Sequence, residues 1–223
     1  SSANSLTRIA ATRPELLAGD FAVLMEPTSA AVEGGCQGTL RFTVTTSGRA
    51  AHSARAWMGH NAIHDAADVL ARLRAHEAEQ PEVDGLRYHE GLNAVAISGG
   101  IAGNVIPDTC TISVNYRFAP HRSVQQAMDY CRAVLPDHEL TFVDAAAGAR
   151  PGLDLPAAAD FVEAVGGQPT AKFGWTDVAR FSALGIPAVN FGPGNPSKAH
   201  ADDEFCPVVD LFTCRDALVR WLG

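Results

Sequence analysis

Nothing in this sequence runs long in one chemical direction. No apolar stretch approaches the ~20 residues that a bilayer-crossing helix requires, so a membrane partner is not expected. Positive charge is in the minority. Lys and Arg number 17 against 25 Asp and Glu, a formal net charge of −8 over 223 residues. There is no Lys/Arg run, which argues against nucleic acid as a partner. No C-x-x-C pair occurs either. The five cysteines, Cys36, Cys110, Cys131, Cys206 and Cys214, are odd in number and widely spaced. That is the pattern of reduced, mostly buried thiols in a cytoplasmic protein. The opening Ser1-Ser2-Ala3-Asn4-Ser5 has no basic or apolar region, so no signal peptide is expected. A nucleophile elbow, a Walker loop, a G-x-G-x-x-G fingerprint, internal repeats and low-complexity tracts are all absent. What is present is ordinary globular composition, 47% hydrophobic and 19% charged, with material for a sizeable core.

The patterning divides the chain in three. Residues 3–17 read as a short helix interrupted near Pro14. The run from Asp20 to Met25 is apolar on both faces, as a buried parallel strand would be, and Pro27 ends it because proline cannot donate to a ladder. From residue 38 the period changes. Leu40, Phe42 and Val44 alternate with polar neighbours, and so do Cys110, Ile112, Val114 and Tyr116. Between them a helix is predicted with Ile63, Ala66, Ala67, Leu70 and Leu73 on its apolar stripe, followed by a short strand at Val95 and Ile97. Ser123 and Gln126 have capping-box spacing and open a second helix with Val124, Ala127, Met128, Cys131 and Val134 on one face. Leu140 and Phe142 begin a fourth strand. The order β-α-β-β-α-β is the ferredoxin-like plan, one sheet with two helices on one face. After a small-residue linker, alternating helices and strands return, with strands at 170–173 and 186–191 and helices at 157–165, 176–184 and 208–222. Alternation of that kind implies a parallel layered sheet. The expected fold is an α/β domain (residues 1–35 and 149–223) interrupted by an inserted ferredoxin-like domain (36–148).

Several side chains could carry chemistry, each with a plain structural alternative. Glu26 leaves the carboxyl end of a predicted parallel strand, where open α/β sheets place ligands, and a carboxylate there can hold a metal or simply be solvated. His200 follows a Gly/Pro loop and precedes acidic residues that could orient it as a ligand or merely favour the last helix. His52 lies in a small-residue loop, where it is either exposed or placed to donate to an oxyanion. Arg117 shares the polar face of its strand with Asn115 and Ser113 and could grip a carboxylate. Asn104 sits in a Gly-rich loop that would serve equally as a hairpin connection. Gly174 and Thr176 precede a helix, Thr176 being either its N-cap or part of an anion site.

Taken together and in order, the segments Leu24-Met-Glu-Pro-Thr28, Gly35-Cys-Gln-Gly-Thr-Leu40, Gly48-Arg-Ala-Ala-His52, Gly99 to Asp108, Asn115-Tyr-Arg-Phe-Ala-Pro120, Gly174 to Phe181 and Gly192-Pro-Gly194 resemble the M20 family of metal-dependent amidohydrolases and peptidases. The branch most similar hydrolyses N-succinyl-diaminopimelate in lysine and diaminopimelate synthesis. The resemblance implies a dinuclear zinc centre in the α/β domain, in which cobalt can substitute, and a lid domain that forms a homodimer. It implies that Glu26 and His200 are terminal metal ligands, one for each ion, and that His52 stabilises the oxyanion in the partner's site. Asn104, Arg117, Gly174 and Thr176 would bind substrate. The family also needs an upstream His-x-Asp, a bridging Asp and a Glu-Glu pair that includes the general base. No Glu-Glu pair exists in the chain. The expectation is therefore a fragment that is inactive alone and holds zinc weakly. The alternatives are another deacylase of the family, such as an acetylornithine deacetylase, or a non-catalytic dimerisation module.

Overall fold

The computed structural model describes residues 4–199 and 201–223. In chain order the elements are α1 (Ser5–Thr12), β1 (Ala22–Leu24), β2 (Glu33–Gly34), β3 (Gly38–Ser47), β4 (Ala51–His52), α2 (Ala62–Ala75), β5 (Glu82–Val83), β6 (Leu86–Arg87), β7 (Gly91–Gly99), β8 (Val105–Ile106) and β9 (Thr109–Phe118). Then follow α3 (Val124–Val134), β10 (Leu140–Ala146), α4 (Pro156–Val165), β11 (Thr170–Ala171), α5 (Val178–Ala183), β12 (Ala188–Asn190) and α6 (Val208–Leu222).

The middle of the chain is one antiparallel sheet in the order β10-β3-β9-β7, with α2 and α3 on one face. Strict alternation makes this sheet one-sided. Leu40, Phe42 and Val44 of β3 and Cys110, Ile112, Val114 and Tyr116 of β9 are buried beneath the helices, while Arg41, Thr45 and their polar neighbours face away. The Ser123–Gln126 capping box is formed. The Ser123 Oγ accepts from the Gln126 N–H at 3.2 Å, and the Gln126 Oε1 accepts from the Ser123 N–H at 2.8 Å. On α2 the buried stripe is Ala62, Ala66, Val69 and Leu73. Ile63 and Leu70, expected to face the core, lie exposed on its flank, so the stripe is rotated from the one predicted.

The ends of the chain build a second sheet, β1-β12-β2-β11. β1 runs parallel to β12, and β2 runs parallel to β11 but antiparallel to β12, so the sheet is mixed and not the parallel layer expected. The cause is β2, a two-residue strand with no hydrophobic run to announce it; Glu33 and Gly34 return between strands that are distant in sequence. β1 is also less buried than predicted, because it lies at the sheet edge with one side unpaired among the described residues. Its apolar residues pack on two clusters, Val23 on Phe161, Val189 and Phe191 beneath α4 and α6, and Ala22 and Leu24 on Cys36, Ala149, Val178 and Ala188. The outer face of α6 leaves Leu211, Val219 and Leu222 exposed beside Met25.

Two crossing strands of backbone join the sheets. Cys36 and Ala149 exchange both hydrogen bonds at 3.0 Å. A Cβ on Gly148 would stand 2.5 Å from the Cys36 carbonyl oxygen, so only glycine permits this crossing. The hairpin β5–β6 braces the junction, with Asp84 paired to Arg150 and the Tyr88 hydroxyl donating to the Gly34 carbonyl at 2.9 Å. No described helix is long and apolar enough to cross a membrane.

Candidate active site

The predicted functional residues fall on three surfaces. The first is the carboxyl end of the β1–β12 pair. Glu26 lies two residues beyond the end of β1 and is half-buried. The loop after β12 is laid against the segment Glu26–Ala30. The Thr28 and Ala30 amides donate to the Gly192 carbonyl (3.2 and 2.9 Å), the Gly192 N–H donates to the Thr28 Oγ1 (3.0 Å), and Ser29 donates to Gly194 (2.7 Å). A Cβ on Gly192 would lie 2.5 Å from the Glu26 carbonyl oxygen. The chain leading toward position 200 is thus moored next to Glu26, although His200 itself lies outside the described residues. Behind this turn the ion pair Lys172–Glu33 (2.6 Å) is largely buried, and the Lys172 ammonium also reaches the Pro27 carbonyl at 3.4 Å. Among the described residues no three His, Cys, Asp or Glu side chains converge into a metal site. One carboxylate does not satisfy the four ligands zinc takes, so the described residues alone do not fit the ion.

The second surface is a cleft of about 620 Å³ between the polar face of the antiparallel sheet and the loop before α5. Its lining includes Arg117, Asn115, Arg41, Trp175 and Arg180. Arg41 is held by Asp144 at 2.6 Å, and Arg180 by Asp177 while it lies over the Trp175 ring, 5.0 Å from the centroid. Arg117 has no carboxylate partner among the described residues. Burial, and then the neighbouring Arg41 charge, lowers its guanidinium from the ordinary arginine value, yet arginine stays cationic at neutral pH. A half-buried, unpaired cation is what a carboxylate ligand would neutralise. Gly174 and Thr176 flank Trp175 in sequence but do not themselves line the cleft. Thr176 is not the cap of α5; that place belongs to Asp177, and the Thr176 hydroxyl is buried without a partner. Gly174 is exposed with open space where a Cβ would go, so no steric demand requires glycine there.

The third surface lies at the tip of the antiparallel sheet. His52 on β4 pairs with Val105 on β8, and the Ser53 N–H donates to the Asn104 carbonyl at 2.9 Å, so His52 and Asn104 stand side by side. The His52 Nδ1 accepts from the Ala54 N–H at 3.1 Å, which leaves Nε2 turned outward.

Residues 35–142, which build this antiparallel sheet and its helices, match the peptidase dimerisation domain of the M20 type. The whole chain is 52% identical over 225 aligned residues to a Mycobacterium tuberculosis protein assigned as a succinyl-diaminopimelate desuccinylase. Residues 35–142 thus form a dimerisation domain of the M20 type. A Corynebacterium glutamicum relative named succinyl-diaminopimelate desuccinylase is 45% identical over 99% of the chain. The chain spans 64% and 61% of the lengths of these two relatives. Among solved structures, a tripeptidase from Staphylococcus aureus superposes with a TM-score of 0.70 at 18% identity, covering 94% of this chain and 58% of that one. An M20 metallo-carboxypeptidase from Sulfolobus solfataricus gives 0.70 at 16%, covering 97% and 66%. These likenesses establish the M20 fold.

Sequence reasoning did not single out Trp175, Arg41 or Arg180, which share the Arg117 cleft, nor Lys172 and Glu33 behind the Glu26 turn. Trp175 and Arg180 lie within the segment Gly174–Phe181, whose motif is the signal that could have found them. Nothing local marked Arg41, whose place beside Arg117 depends on strand register: Arg41 pairs with Asn115 and Thr39 with Arg117.

Proposed function

We propose that the protein to which this chain belongs is a homodimeric, cytoplasmic M20 amidohydrolase that hydrolyses N-succinyl-LL-2,6-diaminopimelate to succinate and LL-2,6-diaminopimelate. The observation that carries the reading is the 52% identity over the full length of this chain to a relative assigned that activity. The Arg117 cleft supports it chemically. The substrate is a polycarboxylate, and Arg117 is a desolvated guanidinium with no carboxylate of its own.

The chain's own residues have distinct parts in this reading. Arg117, with Gly174 and Thr176, binds and orients the substrate carboxylates, and Asn104 does so from the tip of the antiparallel sheet beside His52. His52, with Nε2 outward, donates to the oxyanion formed in the partner's site. Such a donor is worth two to three orders of magnitude in turnover, about 3–4 kcal/mol of barrier. Metal dependence is a family property. The metal is proposed to be zinc, two ions in the whole protein with cobalt as a substitute, and Glu26 and His200 as one terminal ligand each. Because the described residues do not close around an ion, this chain alone is proposed to be inactive and to bind zinc weakly.

β7 supports the homodimer. It ends the antiparallel sheet, and Val95 and Ile97 are 61% and 52% exposed on it. An unpaired apolar edge is a template for a second strand. The decisive experiment compares turnover of N-succinyl-diaminopimelate and N-acetylornithine by the full-length protein and by this chain. Metal-dependent release of succinate by the full-length protein alone is the expected result. Preference for the acetyl substrate would favour the acetylornithine deacetylase alternative. Full activity after His52→Ala and Arg117→Ala would favour a dimerisation module.

A further inference from the structure

Residues 48–60 close into a ring at the tip of the antiparallel sheet. Arg49 and His60 exchange backbone hydrogen bonds of 2.8 and 2.9 Å, and the Gly59 N–H donates to the Ala56 carbonyl at 3.0 Å. Gly48 passes so close to the His60 carbonyl that a Cβ would stand 2.1 Å from it. The ring shapes a cleft of about 700 Å³ whose side-chain lining is Arg49, His52, Arg55, Trp57 and Met58 with two alanines. Two guanidinium groups and an imidazole meet there and no carboxylate does, in a chain whose net charge is −8. Eight other arginines hold a carboxylate. Arg49 and Arg55 hold none among the described residues. Beside them the Trp57 indole is 79% exposed.

We propose that this cleft binds a short aliphatic dicarboxylate, with Arg55 and Arg49 gripping the charged ends and the Trp57 face covering the methylenes between them. An inorganic anion would use the charges and leave the indole bare. A purely apolar ligand would use the indole and leave two guanidinium groups unpaired. A short dicarboxylate satisfies both, because the guanidinium fork matches a carboxylate and the ring supplies a flat apolar wall. Free succinate has both charged ends; the succinyl group of the proposed substrate keeps one of them, its other end being the amide carbonyl, whose oxygen a guanidinium can still meet as a hydrogen-bond donor. The assignment of the cleft to that group rests on the proposed function, whereas the binding itself does not.

The test titrates the full-length protein with succinate, and with neutral succinamide as control, by calorimetry and tryptophan fluorescence. Arg55 and Trp57 are exposed, so their variants should fold. Arg55→Ala is expected to weaken succinate roughly 10–100-fold, the loss of one charge-assisted grip. Arg55→Lys should recover part of it, and Trp57→Leu should abolish the fluorescence response. Succinate binding within twofold of the parent in Arg55→Ala overturns the proposal. So does a response that survives Trp57→Leu and vanishes in Trp175→Phe, which would put the ligand in the Arg117 cleft. If Arg55→Ala abolishes succinate binding while the full-length protein turns over no succinyl substrate, the cleft stands and the proposed activity falls.

Discussion

Glu90 gives the sharpest test of how the antiparallel sheet is held to its surroundings. Its side chain is 1% exposed. It accepts from the Tyr116 hydroxyl at 2.5 Å, from the Ala119 N–H at 2.8 Å and from Arg122 Nε at 3.1 Å. Arg122 also pairs with Glu79 at 2.6 Å and lies over the Tyr130 ring. One carboxylate therefore ties the start of β7 to the end of β9 and to the turn before α3. Glu90→Ala strands a buried hydroxyl and a buried amide, each costing about 1–3 kcal/mol, while Arg122 keeps its second carboxylate. The sum is about 3–5 kcal/mol, the scale of a broken buried pair. Glu90→Gln retains one acceptor oxygen but turns an amide donor toward other donors, and should cost about half as much. Tyr116→Phe should cost roughly 1 kcal/mol in the parent and almost nothing in the Glu90→Ala background, since its partner is then gone. Urea unfolding followed by circular dichroism measures all four corners of the cycle. A loss under about 1 kcal/mol for Glu90→Ala with an unchanged m-value, or an additive cycle, would refute the reasoning.

Gly192→Ala drives a methyl into the Glu26 backbone, so the full-length protein should lose stability by about 1–3 kcal/mol and lose most of its turnover, by urea titration and assay. Arg117→Ala should raise KM for the proposed substrate roughly 10–100-fold with little change in kcat, and a KM unchanged in steady-state assays would remove Arg117 from substrate binding. In native protein at pH 8, iodoacetamide followed by mass spectrometry should label Cys206 alone. The other four thiols are buried, and desolvation raises Cys131 to about 12 and Cys214 to about 11; in urea all five should react. The Arg41 hydrogen bond holds the Asp144 carboxyl below its ordinary value. Its stabilisation is present above the ordinary carboxylate range and is lost as pH falls through the lowered folded value, so Arg41→Ala should flatten that part of the acid limb of stability by less than about 1 kcal/mol for this exposed pair.

Much of the fold was legible because its signals are local. Strands β3 and β9 show themselves by period and α3 by its capping box, and these stand as read; β7, expected only as a short strand at Val95 and Ile97, runs from Gly91 to Gly99 with both of those residues exposed. The α2 stripe was misplaced because Ile63 and Leu70 are as apolar as Val69, and only the packing against β3 and β9 selects which side faces inward. The two-residue strands β2, β4 and β8 were invisible, since two residues carry no period. Their pairing is supplied entirely by distant partners.

The candidate site divides along the same line. Residue types and motif order were sufficient to single out Glu26, His52, Asn104, Arg117, Gly174 and Thr176, because each sits in a short segment with its own chemical character. Which of them share a surface was settled only by tertiary structure. Strand register sets Arg41 beside Arg117, the crossing at Cys36 and Ala149 brings Trp175 and Arg180 over them, and the antiparallel β4–β8 pair joins His52 to Asn104. Local sequence determines which side chains leave a strand and on which face. Proximity between segments more than fifty residues apart depends on the sum of all the packing between them.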